Sequence, residues 1–444
     1  MTPTTQILSD FICQLSPKDI PISAQEIAKK CILDLMASVI VGHRTDAARA
    51  VRDISLKLFS DGPCDVWFSD TRLQASAAAF INSASASALD LDDGHRSAAG
   101  HPGASIIPAC VALAQEVNAS AKELLTAIVI GYEVAIRVAA ARDFAALDTL
   151  STGRWCSYGV TAAGGWLRRW ASGRLAEALS IAGVQSPGLS ASGYSSVMGN
   201  HVKEGIPWST FTGLCALELA AAGFTGPIDI LDHPDYYDSE KIVAELGDGF
   251  AIEKVYFKPY ACCRWIHSAL DALCELMTEN SLAAAEIKKV QVYTFQRALR
   301  LNNYPNPDSL ESAQYSIPFC LAVAALEGKK ALLLLRSELL GRPDLVAFAR
   351  KVELYTDSML DKSFPVKIPA RVILKTARGS FQMLTEYPIG DPANPLDFDG
   401  ITEKFQYLSH RHMSSQKQEE MVKTITSIEK GGLGQFYHLL RREL

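Results

Sequence analysis

The chain lacks the features that would declare a nucleic-acid binder, a membrane protein or a metalloprotein. It has no run of basic residues, and 43 Lys and Arg stand against 49 Asp and Glu, for a net charge of −6. Nucleic acid is therefore not expected as a partner, although positive charge can still gather locally in a pocket. No apolar run reaches the about 18 residues that a membrane span needs, so no membrane association is expected. The first residues, Met1-Thr2-Pro3-Thr4-Thr5-Gln6, carry neither the basic nor the apolar region of a secretory signal, and a cytoplasmic protein is expected. None of the ten cysteines forms a C-x-x-C pair. Most, such as Cys31, Cys110, Cys215 and Cys320, stand in apolar surroundings and read as buried free thiols, not as zinc or iron–sulfur ligands. There is no Gly-rich phosphate loop, internal repeat or low-complexity tract.

What is present is an ordinary globular balance, 48% hydrophobic and 21% charged over 444 residues, long enough for two domains. The first half reads as helical. Ser23-x-x-Glu26 is expected to open a helix as a capping box that runs to Gly42, and Ser120-x-x-Glu123 another. Small residues fill 74–89, and the helical pattern continues through 104–116, 159–170, 174–184 and 209–223. After about residue 255 the character changes. Strands are expected at 286–295 and 350–356, and a hairpin over 371–387 turning at 377–380. Helices at 265–279, 312–328 and 343–350 intervene, residues 388–400 read as a connector, and the rest is helical again. The predicted fold is mainly α: a large all-helical domain (1–255) and a smaller α+β lid domain (256–395). A C-terminal helical segment (396–444) returns to the first domain.

Three clusters carry the chemistry. Residues 90–103, Asp-Leu-Asp-Asp-Gly-His-Arg-Ser-Ala-Ala-Gly-His-Pro-Gly, hold three carboxylates, two imidazoles and a guanidinium. So many charges without visible partners are expected to stay out of the core, as a loop between rigid helices. Asp90, Asp92 and Asp93 fall near a helix C-terminus, where the dipole disfavours more negative charge, so His95, Arg96 or His101 must compensate. One Asp tuning a proton-transferring His is the functional reading. A salt-bridged structural loop is the bland one. A metal site of Asp and His is less favoured, since the same loop supplies cations. The second cluster, Lys258 to His267, sets Lys258, Arg264 and His267 at a helix start, where they oppose the dipole unless an anion binds. The third, Asn200-His201-Val202-Lys203-Glu204-Gly205, is weak on its own.

Taken together, the clusters resemble the MmgE/PrpD family, which includes 2-methylcitrate dehydratase, cis-aconitate decarboxylase and iminodisuccinate epimerase. The resemblance rests on Asp90-x-Asp92-Asp93, His101-Pro102-Gly103, Lys203 and Lys258-x-Tyr260-x-x-Cys263-x-x-x-His267-x-x-x-Asp271-Ala272. Weaker echoes include Gly131-Tyr132-Glu133, Ser316-Ile317-Pro318-Phe319 and Pro388-x-Gly390-Asp391-Pro392, and the likeness runs from about residue 20 to 410. It implies a homodimer whose site lies in the cleft between the domains. It also implies action on di- or tricarboxylates with no metal or organic cofactor. Asp90, His101, Lys203, Lys258 and His267 would be catalytic. Asp93, His95, Arg154, Tyr260 and Cys263 would bind substrate.

The chain departs from the family pattern at two site positions. A second His, usual in a His-Pro-Thr-x-Thr-like stretch, is replaced by Leu150-Ser151-Thr152-Gly153-Arg154-Trp155, with Arg154 or His201 as candidates for a related position. A usual Tyr is Phe319, and the loop after Lys203 is one residue shorter with Trp208 retained. The expected function is a cofactor-independent lyase, foremost a dehydratase of a citrate-like acid. The less polar pocket favours an alkylated substrate, or one with one fewer carboxylate. The alternatives are decarboxylation of a cis-aconitate-like acid, epimerisation or isomerisation, and a catalytically silent carboxylate-binding homologue.

Overall fold

In the computed structural model, residues 2–144, 146–147, 149–188 and 200–441 are described. The first 240 residues build a helical body. Its centre is the small-residue helix Ala75–Ser87, almost wholly buried, against which Ile22–Gly42, Gly103–Glu116 and Ile206–Ala221 pack. Small side chains allow these axes to approach closely. A methyl group at Gly159 would lie 2.3 Å from the carbonyl oxygen of Gly131, so the helices Ala121–Ala140 and Cys156–Leu167 touch backbone to backbone there. Ser120 and Glu123 form the expected capping box. Ser23 does not. The helix begins at Ile22 behind Pro21, whose fixed φ suits a helix entrance, and Ser23 falls inside the first turn.

The α+β region is inserted among the helices. Its mixed sheet has the order Val352–Thr356, Ile287–Thr294, Ala370–Thr376, Gly379–Thr385, parallel at the first pairing and antiparallel at the others. Val290, Val292 and Thr294 alternate inward, as the period-two pattern predicts, and a register shift between Ile287 and Lys289 leaves Ile287 buried as well. The helix Arg264–Glu279 packs on the sheet. The hairpin turn is tighter than expected, with only Ala377 and Arg378 between paired strands. The predicted helix at 312–328 is two helices, Leu310–Ala313 and Ile317–Glu327. Ser316 caps the second through the N–H of Phe319, with Pro318 in its first turn.

Two connections aim the site. Gly94–His95 pairs antiparallel with Val255–Tyr256, tying the charged loop to the chain just before Lys258. The helix Phe398–Ser409 packs on Ile22–Gly42, and its buried Lys404 donates to Asp34 Oδ1 and to the carbonyl oxygen of Leu91, both at 2.6 Å. The C-terminal helices thus brace the loop from behind. Among the described residues no helix is long and apolar enough to cross a membrane.

Candidate active site

The charged loop is buried, which corrects the expectation that it stays out of the core. Asp90, Asp92, Asp93, His95 and His101 are only 1% to 7% exposed. The charge count was right, but the partners come from far along the chain. Asp90 adopts a left-handed backbone (φ +55°) just past the helix Ala75–Ser87. Its Oδ2 lies 2.9 Å from Nζ of the fully buried Lys258, and its Oδ1 lies 3.5 Å from Nε2 of His101. Burial alone would raise the Asp90 pKa, but Lys258, Lys203 and His101 outweigh it and hold the carboxyl below its usual range. Burial would lower the Lys258 pKa, and Asp90 and Asp92 together hold it above normal.

His101 is the hub. Its Nδ1 lies 2.9 Å from the carbonyl oxygen of Asp93, an atom that only accepts, so Nδ1 carries a hydrogen. Asp92 Oδ2 is 3.7 Å from the same nitrogen, and Glu204 Oε1 is 3.9 Å from Nε2. Burial pushes the imidazole pKa down. Asp92, Glu204 and Asp90 outweigh both burial and Lys258, so the net shift is upward. Asp93 stands behind the His: it accepts from the Gly103 N–H at 3.0 Å and the Tyr132 hydroxyl at 2.5 Å. Burial pushes its carboxyl pKa up to about 7, against the Tyr132 hydrogen bond.

Lys203, also left-handed (φ +45°), spends its three ammonium donors inside the protein. It donates to the carbonyls of Ser87 (3.0 Å) and Ala88 (3.1 Å) and to Gln314 Oε1 (2.9 Å). This cation answers the helix C-terminus that carries the acidic loop. It joins the helical body to the α+β region.

A cavity of about 230 Å³ opens beside these groups. Asp90, Asp92, His101, Lys203 and Glu204 line it, together with the apolar Ala47, Val51, Phe80, Ala84 and Trp208. Phe80 and Trp208 meet at 5.0 Å between ring centroids. Tyr315 also lines the cavity, and His201 stands at it with Nε2 3.7 Å from Glu311. Asp90, Asp92 and His101 each offer a donor atom within 4.8 Å of the others, a spacing that would suit a metal ion. The Lys258 ammonium already sets positive charge against that triad.

Other predicted site residues lie outside this lining. His267 is fully buried, with Nδ1 3.1 Å from the Arg264 guanidinium and Nε2 3.2 Å from the Cys262 carbonyl oxygen. Burial, then Arg264 and Lys258, hold its pKa well below normal, so it is neutral. Arg264 donates to the carbonyls of Ile389 (2.8 Å) and Pro388 (3.1 Å) and lies over the Tyr256 ring. The cations at that helix start have partners within the chain, Lys258 on Asp90 and Arg264 on two carbonyl oxygens. Tyr260 donates to Asp271 at 2.6 Å, and the Cys263 N–H donates to the Gln314 carbonyl at 2.8 Å. His95 is buried against the Val255–Tyr256 strand, its pKa pushed down to about 3 by burial, Arg96 and Lys254. Arg154 reaches toward the Gly188 carbonyl at 3.5 Å.

The stretch that lacks the second His still reaches the site. Thr152 Oγ1 accepts from the His101 N–H at 3.1 Å, and the Thr152 hydroxyl and N–H both donate to Glu204 Oε2. A carboxylate, not an imidazole, therefore faces His101 here. Sequence reasoning missed Glu204, Tyr315 and the site role of Thr152. The one available signal was that Glu204 follows Lys203 in an otherwise weak cluster.

The chain matches the model of the MmgE/PrpD N-terminal domain over residues 6–238 and that of the MmgE/PrpD C-terminal domain over 260–430. It is 26% identical over 463 residues to a cis-aconitate decarboxylase of Aspergillus terreus (strain NIH 2624 / FGSC A1156), covering 96% of this chain and 93% of that one. It is 24% identical over 467 residues to the cis-aconitate decarboxylase-like protein oryM of Aspergillus oryzae, covering 96% and 94%. A cis-aconitate decarboxylase of Homo sapiens is 24% identical over 435 residues, covering 90% and 87%. With both domain models matched in order along nearly its whole length, the chain belongs to the MmgE/PrpD family.

Proposed function

We propose that this protein is a cofactor-independent lyase of citrate- or aconitate-type acids, and that its reaction is decarboxylation of a cis-aconitate-like tricarboxylate. The observation that carries the reading is the setting of His101. Three carboxylates favour its imidazolium, Nδ1 is committed to a backbone carbonyl, and Nε2 is left for chemistry. Decarboxylation of an unsaturated acid needs one proton donor. The Nε2 proton adds to the vinylic carbon, the C–CO₂ bond of the allylic arm breaks, and its electron pair forms the new double bond. CO₂ leaves and His101 is left neutral.

Dehydration, the foremost expectation from sequence, needs a base and an acid at once. Of the two imidazoles that line the cavity, His201 is exposed and stands 3.7 Å from Glu311, which leaves His101, and Lys203 already donates to three oxygens. The relatives named above, each called a cis-aconitate decarboxylase or like one, point the same way.

The substrate bears a hydrocarbon substituent in this reading. The sequence argument for that rested on Leu150 and Phe319, which do not line the cavity; the support is instead the wall of Val51, Phe80 and Trp208. The test is NMR of cis-aconitate, citrate and their alkylated analogues with the protein in D₂O. Release of CO₂ with one deuteron entering the product is expected, and His101→Ala should lower the rate by roughly 10²–10⁴. Loss of water from a citrate without CO₂ would reassign the protein as a dehydratase.

A further inference from the structure

We propose that Glu204 is the proton relay of this site, returning a proton from solvent to Nε2 of His101 after each turnover. The inference rests on the reading of His101 as the proton donor. A decarboxylation of this kind takes one proton from the protein per cycle, and His101 must regain it. Its side chain is only 8% exposed. Nδ1 is closed by the Asp93 carbonyl at 2.9 Å, so the proton must arrive at Nε2.

Two carboxylates face Nε2. Asp90 is nearer, at 3.5 Å, but its other oxygen is 2.9 Å from the Lys258 ammonium, and its side chain is 6% exposed. A carboxylate held in that way is a poor proton carrier, because Lys258 favours its ionised form. Glu204 differs in each respect. Its side chain is 25% exposed, and its Oε1 lies 3.9 Å from Nε2, the span of a small side-chain swing or one bridging water. Its Oε2 is anchored by the N–H (3.1 Å) and hydroxyl of Thr152, which also accepts from the His101 N–H. The anchor aims one oxygen at the imidazole and leaves that oxygen free to take up and release a proton. His201, also at the cavity, is more exposed but is paired with Glu311.

The step balances. Glu204 takes a proton from bulk water, passes it to neutral Nε2 and returns to the carboxylate. One solvent proton enters per CO₂ released, with no oxidant, reductant or metal involved.

The test compares wild type with Glu204→Gln, which keeps an oxygen for Thr152 to bind but cannot carry a proton, and with Glu204→Asp as a second variant. The first readout needs no turnover: exchange of the His101 imidazole N–H with water, by NMR of ¹⁵N-histidine protein. Glu204→Gln should slow it at least roughly tenfold, below the ~10²–10⁴ often lost with a direct proton-transfer group, and Glu204→Asp should slow it less. The second uses whichever of cis-aconitate and its alkylated analogues the wild type decarboxylates. In Glu204→Gln, kcat should fall with KM unchanged, and added imidazole buffer should restore it. Unchanged N–H exchange, or a kcat loss that buffer does not repair, would make Glu204 a structural residue and overturn the relay. If the wild type releases CO₂ neither from cis-aconitate nor from its alkylated analogues, the decarboxylase reading fails, while the exchange measurement still decides whether Glu204 conducts protons to His101.

Discussion

Lys258 Nζ lies 2.9 Å from Asp90 Oδ2, and the Lys258 side chain does not reach solvent. A buried pair of this kind adds little net stability, but each partner alone is a buried unpaired charge. Lys258→Met or Asp90→Asn should therefore each cost roughly 3–5 kcal/mol, and the double substitution should recover part of the loss. Urea unfolding of the four proteins measures this; additive losses would show that the two charges are not coupled. The pH window follows from the shifts. The Asp90 pKa is lowered, so its contribution is present above the normal carboxylate range and is lost as pH falls through the depressed value. The Lys258 pKa is raised, so its contribution is full below the ordinary lysine pKa and is lost as pH rises through the elevated one.

The pH dependence of catalysis should follow His101. Its pKa is raised, so the imidazolium that donates the proton persists somewhat above the usual histidine range, and kcat/KM should fall on the alkaline side. Of the carboxylates that raise it, Asp92 contributes most. Asp92→Asn should move the alkaline limb to lower pH. A limb that stays in place in that variant would remove Asp92 from the tuning of His101.

Asp93 should leave its mark on stability instead. Its folded pKa of about 7 lies above the unfolded value, so its contribution is present in acid and is lost as pH rises through 7. Melting temperatures should decline between about pH 4 and 7 from this group, then level off. Asp93→Asn should flatten that part of the curve; an unchanged slope would place its origin elsewhere.

The apolar wall should read hydrocarbon length. Succinates carrying 2-alkyl chains, used as inert ligands, should gain about fourfold in affinity per methylene, corresponding to ~0.8 kcal/mol. Phe80→Ala and Trp208→Ala should blunt the increment while leaving succinate binding nearly intact. Calorimetry showing no chain-length dependence in the wild type would exclude an alkyl subsite.

Chelation offers a simple check on charge balance. Lys258 already opposes the cluster of Asp90, Asp92 and His101. EDTA treatment should therefore leave the rate unchanged, and added Zn²⁺ should not raise it. Loss of activity in EDTA with recovery on metal addition would overturn that assignment.

Most of the fold was legible because periodicity and capping act locally. The Ser120–Glu123 box, the small-residue helix at 75–87 and the hairpin of 370–385 follow from residues a few positions apart. The burial of the 90–103 loop was not legible, because the groups that allow it, Lys258 and Lys404, lie far along the chain. The sequence marked Asp90, His101, Lys203 and Lys258, but not how they divide their labour. Only the distances show that Lys203 is saturated by Ser87, Ala88 and Gln314. Phe319 drew attention as a lost hydroxyl, yet it is core, while Tyr315 four positions earlier lines the cavity. A short helix boundary at Ser316 turns the two apart, and no periodicity argument reveals that.

The Lys404 brace on Leu91 has a consequence for the order in which the molecule becomes competent. A ribosome delivers the acidic loop early, the ammonium that meets Asp90 much later, and the residue that braces Leu91 later still. Until then the loop lacks the Lys258 ammonium that meets Asp90 and the Lys404 contact with Leu91. A chain truncated before Lys258 would keep the loop without either ammonium group.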